Sequence, residues 1–426
     1  MSKIAIIGGG ISGLSMANLL QKSNHVTVFE RDSKPGGLIK CEVVNGNLYH
    51  TVGGHVFNSK RKDVLNWFWS FFDCKKDFVS AIRNATISMP EYGNIGYPIE
   101  NHLYQLPKEV SSSIIKELVE RRKIPKMNLN NFEMFLQGQF GTILYEMYFR
   151  SYNEKIWKKP LNKIPLSWLE DKLPMPTVED IILNNIYRVE EQKMVHSSFF
   201  YAKKNGSQFL ADVLAKHIVV KYNTEVMSLE KDKGKWIVNG ECFDKIIFCG
   251  NIKQLPALVN NSFELTDEMR LAIKDLEYHG TTSVFCKIDK NPYSWIYMPN
   301  REYLSHRIIC TGNFSQFNNV DRESLTATVE FTDYLAENEI RENLLKIPYN
   351  PQYITHKYTE YTYPIQTVLL FIPESLYKTR EMINSLKRIL KLQNIYLLGR
   401  FAEWEYYNMD AAIGAAIDLY NNNFRN

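Results

Sequence analysis

The sequence predicts an α/β protein with a discontinuous Rossmann-like dinucleotide-binding domain, a helical insertion and an antiparallel β-sheet domain. An apolar strand, a glycine-rich turn and a helix open the chain. Residues 102–202 show mainly helical spacing, whereas apolar and polar residues alternate over 280–372. We therefore expect the dinucleotide-binding domain at 1–75, 203–258 and 388–426, the helical domain at 102–202, and the sheet and substrate domain at 76–101 and 259–387.

The composition excludes several classes of protein. A chain of 426 residues with 45% hydrophobic residues is expected to fold into two or three domains. Its net charge of +4 gives no reason to expect a nucleic-acid partner. The 6 cysteines form no CxxC pair and no His cluster has zinc spacing, which predicts reduced thiols, no metal site and a cytoplasmic protein. We see no secretion signal, and no apolar stretch reaches the roughly 20 residues that span a bilayer.

The most informative motif lies in the first 30 residues. Strand Ile4–Ile7 runs into Gly8, Gly10 and Gly13 with the spacing GxGxxG, and a helix and a second strand ending at Glu30 follow. The glycines allow a tight turn, close approach of the backbone to a pyrophosphate, and close packing of helix on strand. The helix N-terminus faces the phosphates, and the acid accepts hydrogen bonds from ribose hydroxyls. The motif predicts a dinucleotide site; the alternative is a glycine-rich βαβ unit without a ligand.

The residues after Glu30 indicate which dinucleotide is bound. Arg31 and the pair Gly36-Gly37 complete a pattern that resembles the extended fingerprint of FAD proteins of the amine-oxidase and glutathione-reductase type. In those families the paired glycines pass close to the phosphates and ribityl chain of the flavin. The resemblance also implies that Val226, in the second piece of this domain, lies against the adenine. Only one fingerprint occurs in the sequence, so we expect an FAD-binding domain and no separate nicotinamide domain.

Four further segments point to a narrower family. They are GGHVFNSK, which contains His55, GNIGYPIENHLYQLP, RSYNEKIWKKP, which contains Tyr152, Lys155 and Trp157, and the C-terminal GRFAEWEYYNMD. Together with the fingerprint they resemble UDP-galactopyranose mutase, a family of FAD enzymes that contract a galactose ring carried on UDP. The resemblance extends over most of the chain and in the same order.

The resemblance implies functions for the C-terminal motif and for His55. The last strand would bring Gly399 and Arg400 to the flavin, and Asp410 would cap the following helix at its N-terminus. His55 would lie near the flavin N5, although a His near glycines is often an ordinary packing residue. Core packing is likewise the alternative for the aromatic cluster, which would otherwise point into the substrate cleft and comprises Trp404, Tyr406 and Tyr407.

The family's chemistry implies a diphosphate clamp, and this sequence departs from the family there. Reduced flavin N5 attacks the anomeric carbon, so the protein must neutralise a departing nucleotide. Lys172 stands where the family has its first clamping Arg and lacks the bidentate fork of a guanidinium. We assign the second Arg to Arg307, while Trp404 replaces a Tyr and Asn58 replaces a His of the family. These departures weaken UDP-galactose as the specific substrate.

The sequence thus predicts an FAD-dependent, mutase-like enzyme acting on a nucleotide sugar, with an external reductant and with a homodimer left open. The alternatives are an FAD-dependent oxidoreductase of the amine oxidase or protoporphyrinogen oxidase type and a non-enzymatic flavin-binding protein. The predicted catalytic residues are His55, Lys172, Arg307 and Tyr406. The predicted substrate contacts are Tyr152, Trp157, Lys172, Arg307, Trp404, Tyr406 and Tyr407. The predicted cofactor contacts are Gly8, Gly10, Ile11, Ser12, Gly13, Glu30, Arg31, Gly36, Gly37, Leu38, Gly54, His55, Val226, Gly399, Arg400, Asn408, Met409 and Asp410.

Overall fold

The computed structural model of the chain describes residues 1–121, 131–164, 166, 176–189, 197–260, 262–321, 323–365, 368–370 and 376–425. The strands in these ranges are β1 (Lys3–Ile7), β2 (His25–Phe29), β3 (Cys41–Val44), β4 (Asn47–His50), β5 (Phe78–Ile82), β6 (Ala85–Met89), β7 (Gly93–Gly96), β8 (Ser198–Ala202), β9 (Val219–Lys221), β10 (Leu229–Asp232), β11 (Lys235–Val238), β12 (Glu241–Phe243), β13 (Lys245–Phe248), β14 (Tyr278–Ile288), β15 (Trp295–Tyr297), β16 (Arg307–Ile309), β17 (Leu325–Thr332), β18 (Gln352–Pro364), β19 (Val368–Leu370), β20 (Leu376–Lys378) and β21 (Ile395–Leu397).

The α-helices in the same ranges are α1 (Ile11–Leu20), α2 (Lys62–Trp69), α3 (Cys74–Asp77), α4 (Lys108–Arg121), α5 (Phe132–Leu144), α6 (Arg150–Trp157), α7 (Val178–Tyr187), α8 (Gln208–Ala215), α9 (Leu255–Leu258), α10 (Asp267–Lys274), α11 (Glu337–Leu344), α12 (Thr379–Leu392) and α13 (Met409–Asn423). Within the described part of the chain, no helix is long and apolar enough to cross a membrane. The same residues contain no group of three His, Cys, Asp or Glu side chains that could hold a metal ion.

A parallel five-stranded sheet has the order β21-β13-β1-β2-β9, so distant parts of the chain meet in it. Ile4, Ala5 and Ile6 of β1 are fully buried because helices or neighbouring elements cover both faces of a parallel sheet. Helix α1 begins directly after the carboxyl end of β1, and α13 packs beside it. This arrangement is the Rossmann-like part of the fold and places the glycine-rich turn at the carboxyl edge of the sheet.

The second large sheet has seven strands in the order β18-β14-β17-β16-β15-β6-β7. Five of its six pairings are antiparallel, but β6 and β15 pair in parallel. The expectation of a purely antiparallel sheet is therefore wrong at this pairing. Strand β6 lies about 200 residues before β15 in the chain and pairs with it at the edge of the group formed by β14 to β18. The fold is an α/β fold with a mixed second sheet.

The region expected to be helical contains α4 to α7, and α5 continues through a wide turn at Tyr145–Phe149 into α6. It ends, however, in strand β8, which pairs with β5 in antiparallel register. The sequence of β8, SFFYA, has apolar residues on both faces, and Phe199 and Tyr201 are buried. Strand β8 therefore anchors the helical region to the rest of the molecule through backbone hydrogen bonds.

Candidate cofactor and substrate cleft

A cleft of about 950 Å³ runs from the carboxyl edge of the parallel sheet to one face of the mixed sheet. At one end it is lined by the glycine-rich turn after β1 and by the end of β2, and at the other by β15, β16 and β18. Residues 399–401 and 406–409, which follow β21 and lead into α13, form part of its wall. Most sequence-predicted residues meet here, namely Gly8, Gly10, Ile11, Ser12, Gly13, Glu30, Arg31, Gly36, Gly37, Leu38, Gly54, His55, Val226, Arg307, Gly399, Arg400, Tyr406, Tyr407, Asn408 and Met409.

The glycine-rich turn forms a cradle with no side chains in its floor. A Cβ on Gly13 would lie 2.1 Å from the carbonyl oxygen of Gly8, so helix α1 touches the turn there. A Cβ on Gly10 would come no closer than 3.9 Å to another residue, the Cα of Gly37. Space for a ligand is therefore left above Gly10, whose φ of −77° and ψ of 179° suit any residue. The cradle fits a pyrophosphate at the N-terminus of α1.

Glu30 holds the turn in shape and also faces the cleft. Its Oε2 accepts a hydrogen bond from the backbone nitrogen of Gly9 at 2.7 Å, and its Oε1 accepts one from that of Asp32 at 3.0 Å. Lys40 lies 3.8 Å from Oε1 and also binds Asp32. Because a carboxylate has about four acceptor positions, two remain for hydroxyl groups of a ligand. The acid at the tip of β2 thus fits the ribose of a dinucleotide.

His55 lies at the other end of the cleft, on a loop held by backbone contacts. The backbone nitrogen of Gly53 donates to Oε1 of Glu330 at 2.6 Å, and that of His55 donates to Nδ1 of His50 at 3.4 Å. Burial, with the nearby Arg400 and Arg307, lowers the pKa of His55 to about 4. Its Nε2 is shielded from solvent and has no partner among the described residues. The imidazole is therefore neutral at pH 7, and the backbone of Leu38 and Val52 lies close to its ring.

Two guanidinium groups and two tyrosines form a cluster beside His55. Arg307 donates from Nε to Glu330 at 2.5 Å and from Nη2 to the hydroxyl of Tyr363 at 3.1 Å. The rings of Tyr363 and Tyr406 lie parallel, 6.0 Å apart. Cζ of Arg400 lies 4.0 Å from the Tyr406 ring centroid, and its Nε and Nη2 have no partner within the described ranges. Two cations with one carboxylate make this part of the cleft a site for an anion.

Comparisons with known proteins agree with this geometry. Residues 6–73 match the model of the NAD(P)-binding Rossmann-like domain. UDP-galactopyranose mutase of Mycoplasma genitalium is 21% identical over 440 aligned positions, covering 96% of this chain and 92% of that protein. A crystal structure of reduced UDP-galactopyranose mutase superposes with a TM-score of 0.82 over 99% of this chain and 96% of the other, at 20% identity. The chain is a homologue of UDP-galactopyranose mutase and shares its fold. A dTDP-fucopyranose mutase of Escherichia coli is 26% identical over 41% of this chain and 46% of its own length.

Two aromatic residues of the mutase-like motifs lie in the core and do not line the cleft. Trp404 is fully buried, and its Nε1 donates to the carbonyl oxygen of Ile365 at 3.0 Å. Its φ of 50° belongs to a tight turn that directs the indole inward, away from Tyr406. Trp157 is buried in the core around the helical region, and its carbonyl oxygen accepts from Nε2 of His279 at 2.7 Å. The prediction of substrate contacts for both tryptophans is wrong.

The remaining predicted site residues are Asp410, Tyr152 and Lys172. Helix α13 begins at Met409 with Asn408 in the N-cap position, so the prediction of Asp410 as N-cap is wrong by two residues. Asp410 lies in the first turn beside Ser59, is not part of the cleft wall, and its carboxyl pKa is raised by burial. Tyr152 is half-buried and is not among the residues that line the cleft, although its ring lies 5.5 Å from that of Tyr297, which does line it. Lys172 lies outside the described residues.

Sequence reasoning assigned no role to several residues that line the cleft or hold its walls in place. Glu330 is a lone acid inside the otherwise uncharged strand LTATVEFT, and an acid in a buried strand is a signal that could have been used. Lys155 donates to the carbonyl oxygens of Met298, Asn300 and Ser305 and so fixes the loop that leads to Arg307. The remaining missed residues line the cleft and are Arg83, Trp295, Tyr297 and Tyr363.

Proposed function

We propose that this protein binds FAD non-covalently and, with the flavin reduced, interconverts the pyranose and furanose forms of a nucleotide-linked sugar. One observation carries the proposal. A single cleft joins a glycine cradle, suited to a dinucleotide, to a cluster of Arg307, Arg400 and two tyrosines in which Glu330 is the carboxylate paired with Arg307 and two nitrogens of Arg400 have no partner among the described residues. Homology to UDP-galactopyranose mutase over nearly the whole chain supports it.

The residues of the cradle fit FAD. The open space above Gly10 would take the pyrophosphate, Glu30 the adenosine ribose, and Val226 the adenine. Arg400 and His55 have buried nitrogen atoms without a partner among the described residues, and these would hydrogen-bond the flavin end of the cofactor. Bound and reduced, the flavin would supply a nucleophilic nitrogen, N5, to the anomeric carbon of the sugar.

The chain's own residues would then hold the substrate and protect the reaction. Arg307, fixed by Glu330, would neutralise negative charge on the departing nucleotide diphosphate. The hydroxyls of Tyr363 and Tyr406 would add hydrogen bonds to the same group, because both rings line the cleft beside Arg307. The neutral imidazole of His55 would offer its Nε2 to the sugar or cofactor without adding charge.

The names of two relatives define the substrate class that we propose. One is named for UDP-galactopyranose and the other for dTDP-fucopyranose, so the shared chemistry is a hexopyranose on a pyrimidine nucleoside diphosphate. We do not assign the sugar, because Lys172 departs from the family's pattern at the predicted diphosphate clamp.

The proposal is tested by adding a panel of nucleotide sugars to the purified yellow protein and recording the flavin absorption spectrum. We expect UDP- or dTDP-hexopyranoses to perturb the spectrum without bleaching it, and acid to release a cofactor with the mass of FAD. Bleaching of the flavin by a substrate alone, without added reductant, would support an oxidoreductase instead. Retention of FAD with no response to any nucleotide sugar would support a flavin-binding protein without this activity.

A further inference from the structure

Arg83 lines the cleft and has no role in the reaction proposed above. It follows β5, and its half-buried side chain lines the cleft together with His55 and Arg307. Its Nη2 donates to the hydroxyl of Tyr297. Its Nε is shielded from solvent and has no hydrogen-bond partner in the described part of the chain. No carboxylate of the described residues forms an ion pair with it, so its charge has no acidic partner within those residues.

Aromatic rings hold the Arg83 guanidinium in place. Its Cζ lies 4.8 Å from the ring centroid of Trp295, 5.3 Å from that of Tyr97 and 5.9 Å from that of Tyr297. Such contacts stabilise a cation but leave its N–H groups in need of acceptors. A buried donor without an acceptor is destabilising, and a ligand with acceptor oxygens would remove that cost.

The register of the mixed sheet places Arg83 close to the anion site. Tyr297 of β15 and Arg307 of β16 are directly paired, so their side chains lie on the same face. Trp295, two residues before Tyr297, lies on that face as well, and a Cβ on Gly54 would lie 2.9 Å from its Nε1. Arg83 therefore reaches the Tyr297 hydroxyl from the side of β6, and Arg307 stands on β16, the neighbouring strand on the other side of β15.

We propose that Arg83 binds the diphosphate of the nucleotide sugar together with Arg307, one guanidinium on each side of Tyr297. A diphosphate carries two or more negative charges and planar arrays of oxygens, which guanidinium groups bind in pairs. This inference rests on the proposed function, because it assigns a residue to that substrate. Arg83 would thus supply a second positive charge to the diphosphate, and it lies outside the mutase-like motifs of the sequence.

The test compares FAD-loaded wild-type protein with Arg83→Met, Arg83→Lys and the exposed control Arg388→Met. The affinities for UDP and for uridine are measured by calorimetry, and FAD content and thermal stability are recorded for each protein. We expect Arg83→Met to weaken UDP binding on the order of 30-fold, as for loss of a charged hydrogen bond. The UDP affinity of Arg83→Lys should lie between those of the wild type and Arg83→Met. Uridine binding and FAD content should be unchanged in both variants, and Arg388→Met should bind UDP like the wild type.

Several results would overturn the inference. Unchanged UDP affinity in Arg83→Met would remove the residue from the clamp while leaving the proposed function intact. Equal weakening of UDP and uridine would assign Arg83 to support of the aromatic wall, and loss of FAD would assign it to the cofactor's diphosphate. Wild-type protein that binds no nucleotide diphosphate would overturn both proposals. If Arg83→Met does not fold, Arg83→Lys and Tyr297→Phe replace it in the test. Each is expected to weaken UDP binding several-fold.

Discussion

Arg307 and Glu330 lie opposite each other on paired strands and form an ion pair in which the carboxylate is fully buried. The same carboxylate accepts a hydrogen bond from the backbone nitrogen of Gly53, two residues before His55. One side chain thus fixes both the cation of the anion site and the loop that carries the histidine. The relative position of these two groups depends on Glu330, which touches neither cofactor nor substrate in our account.

Replacement of Glu330 by Gln should therefore lower both stability and function. The amide turns a donor toward either Arg307 or Gly53, and a buried unsatisfied group costs about 1–3 kcal/mol. We expect urea denaturation to show a loss of this size in the free energy of unfolding, and kinetics to show lower turnover. Thr328→Val is a matched control on the same strand, because the Thr328 hydroxyl is buried and has no partner among described residues. Equal effects of the two substitutions would contradict the assignment.

The cradle predicts different outcomes for two glycines three residues apart. Gly10→Ala should fold normally, because its Cβ meets no atom within 3.9 Å, but the methyl group would occupy the space assigned to the pyrophosphate. Gly13→Ala places a Cβ 2.1 Å from a backbone carbonyl and should destabilise the domain itself. Circular dichroism and FAD content of the purified proteins separate the two effects. A folded Gly10→Ala protein with full FAD content would contradict the pyrophosphate position.

The histidines predict a loss of stability in acid. Burial lowers the pKa of His55 to about 4, and it lowers the pKa values of His50 and His306 well below 6.5. Between pH 6.5 and 4 the unfolded chain binds more protons, so the free energy of unfolding falls as pH decreases through this window. For His55 alone the loss is at most about 3 kcal/mol at about 1.4 kcal/mol per pH unit.

Chemical denaturation at a series of pH values measures this dependence. His55→Gln should show a shallower fall between pH 6.5 and 4 than the wild type, and the exposed His217→Gln should follow the wild-type curve. Identical slopes for wild type and His55→Gln would show that His55 is not held neutral by the fold.

Trp404→Phe should affect stability and leave ligand affinity unchanged. The indole is fully buried and donates a hydrogen bond to Ile365, so the smaller ring leaves a cavity and an unpaired carbonyl at a cost of about 1–3 kcal/mol. The neighbouring Tyr406→Phe should instead weaken nucleotide binding with little change in stability, because its ring lines the cleft. Thermal denaturation and UDP titration of both variants test this contrast. A Trp404→Phe protein with wild-type stability and weaker UDP binding would contradict the prediction.

Local patterns in the sequence were sufficient for the parts of the fold that depend on local chemistry. The apolar strand, the glycine spacing and the acid at Glu30 predict β1, α1 and β2, since each has a steric or electrostatic cause within 30 residues. Alternation of apolar and polar residues predicts the long strands of the second sheet, but the parallel pairing of β6 with β15 depends on contacts between remote segments and leaves no local pattern.

The site was harder to predict where a side chain's direction depends on tertiary structure. Trp404 and Tyr406 are two residues apart in one aromatic motif, yet a left-handed turn at Trp404 sends one ring into the core and leaves the other in the cleft. Arg83 is the only charged residue between Asp77 and Glu91 and belongs to no motif, so only the assembled sheet shows that it faces the aromatic residues of β15. Residue identity predicts the chemistry available, and the fold decides which groups share the cleft.

The central claim is that this protein isomerises a nucleotide sugar with reduced flavin and without net oxidation. The most direct measurement is anaerobic incubation of the protein with UDP- and dTDP-hexopyranoses, with and without dithionite, followed by chromatography of the nucleotide sugars. We predict that an isomer of equal mass forms only with the reduced protein, and that the flavin remains reduced after many turnovers. A product two hydrogen atoms lighter than the substrate, formed by the oxidised protein with bleaching of its flavin, would contradict the account.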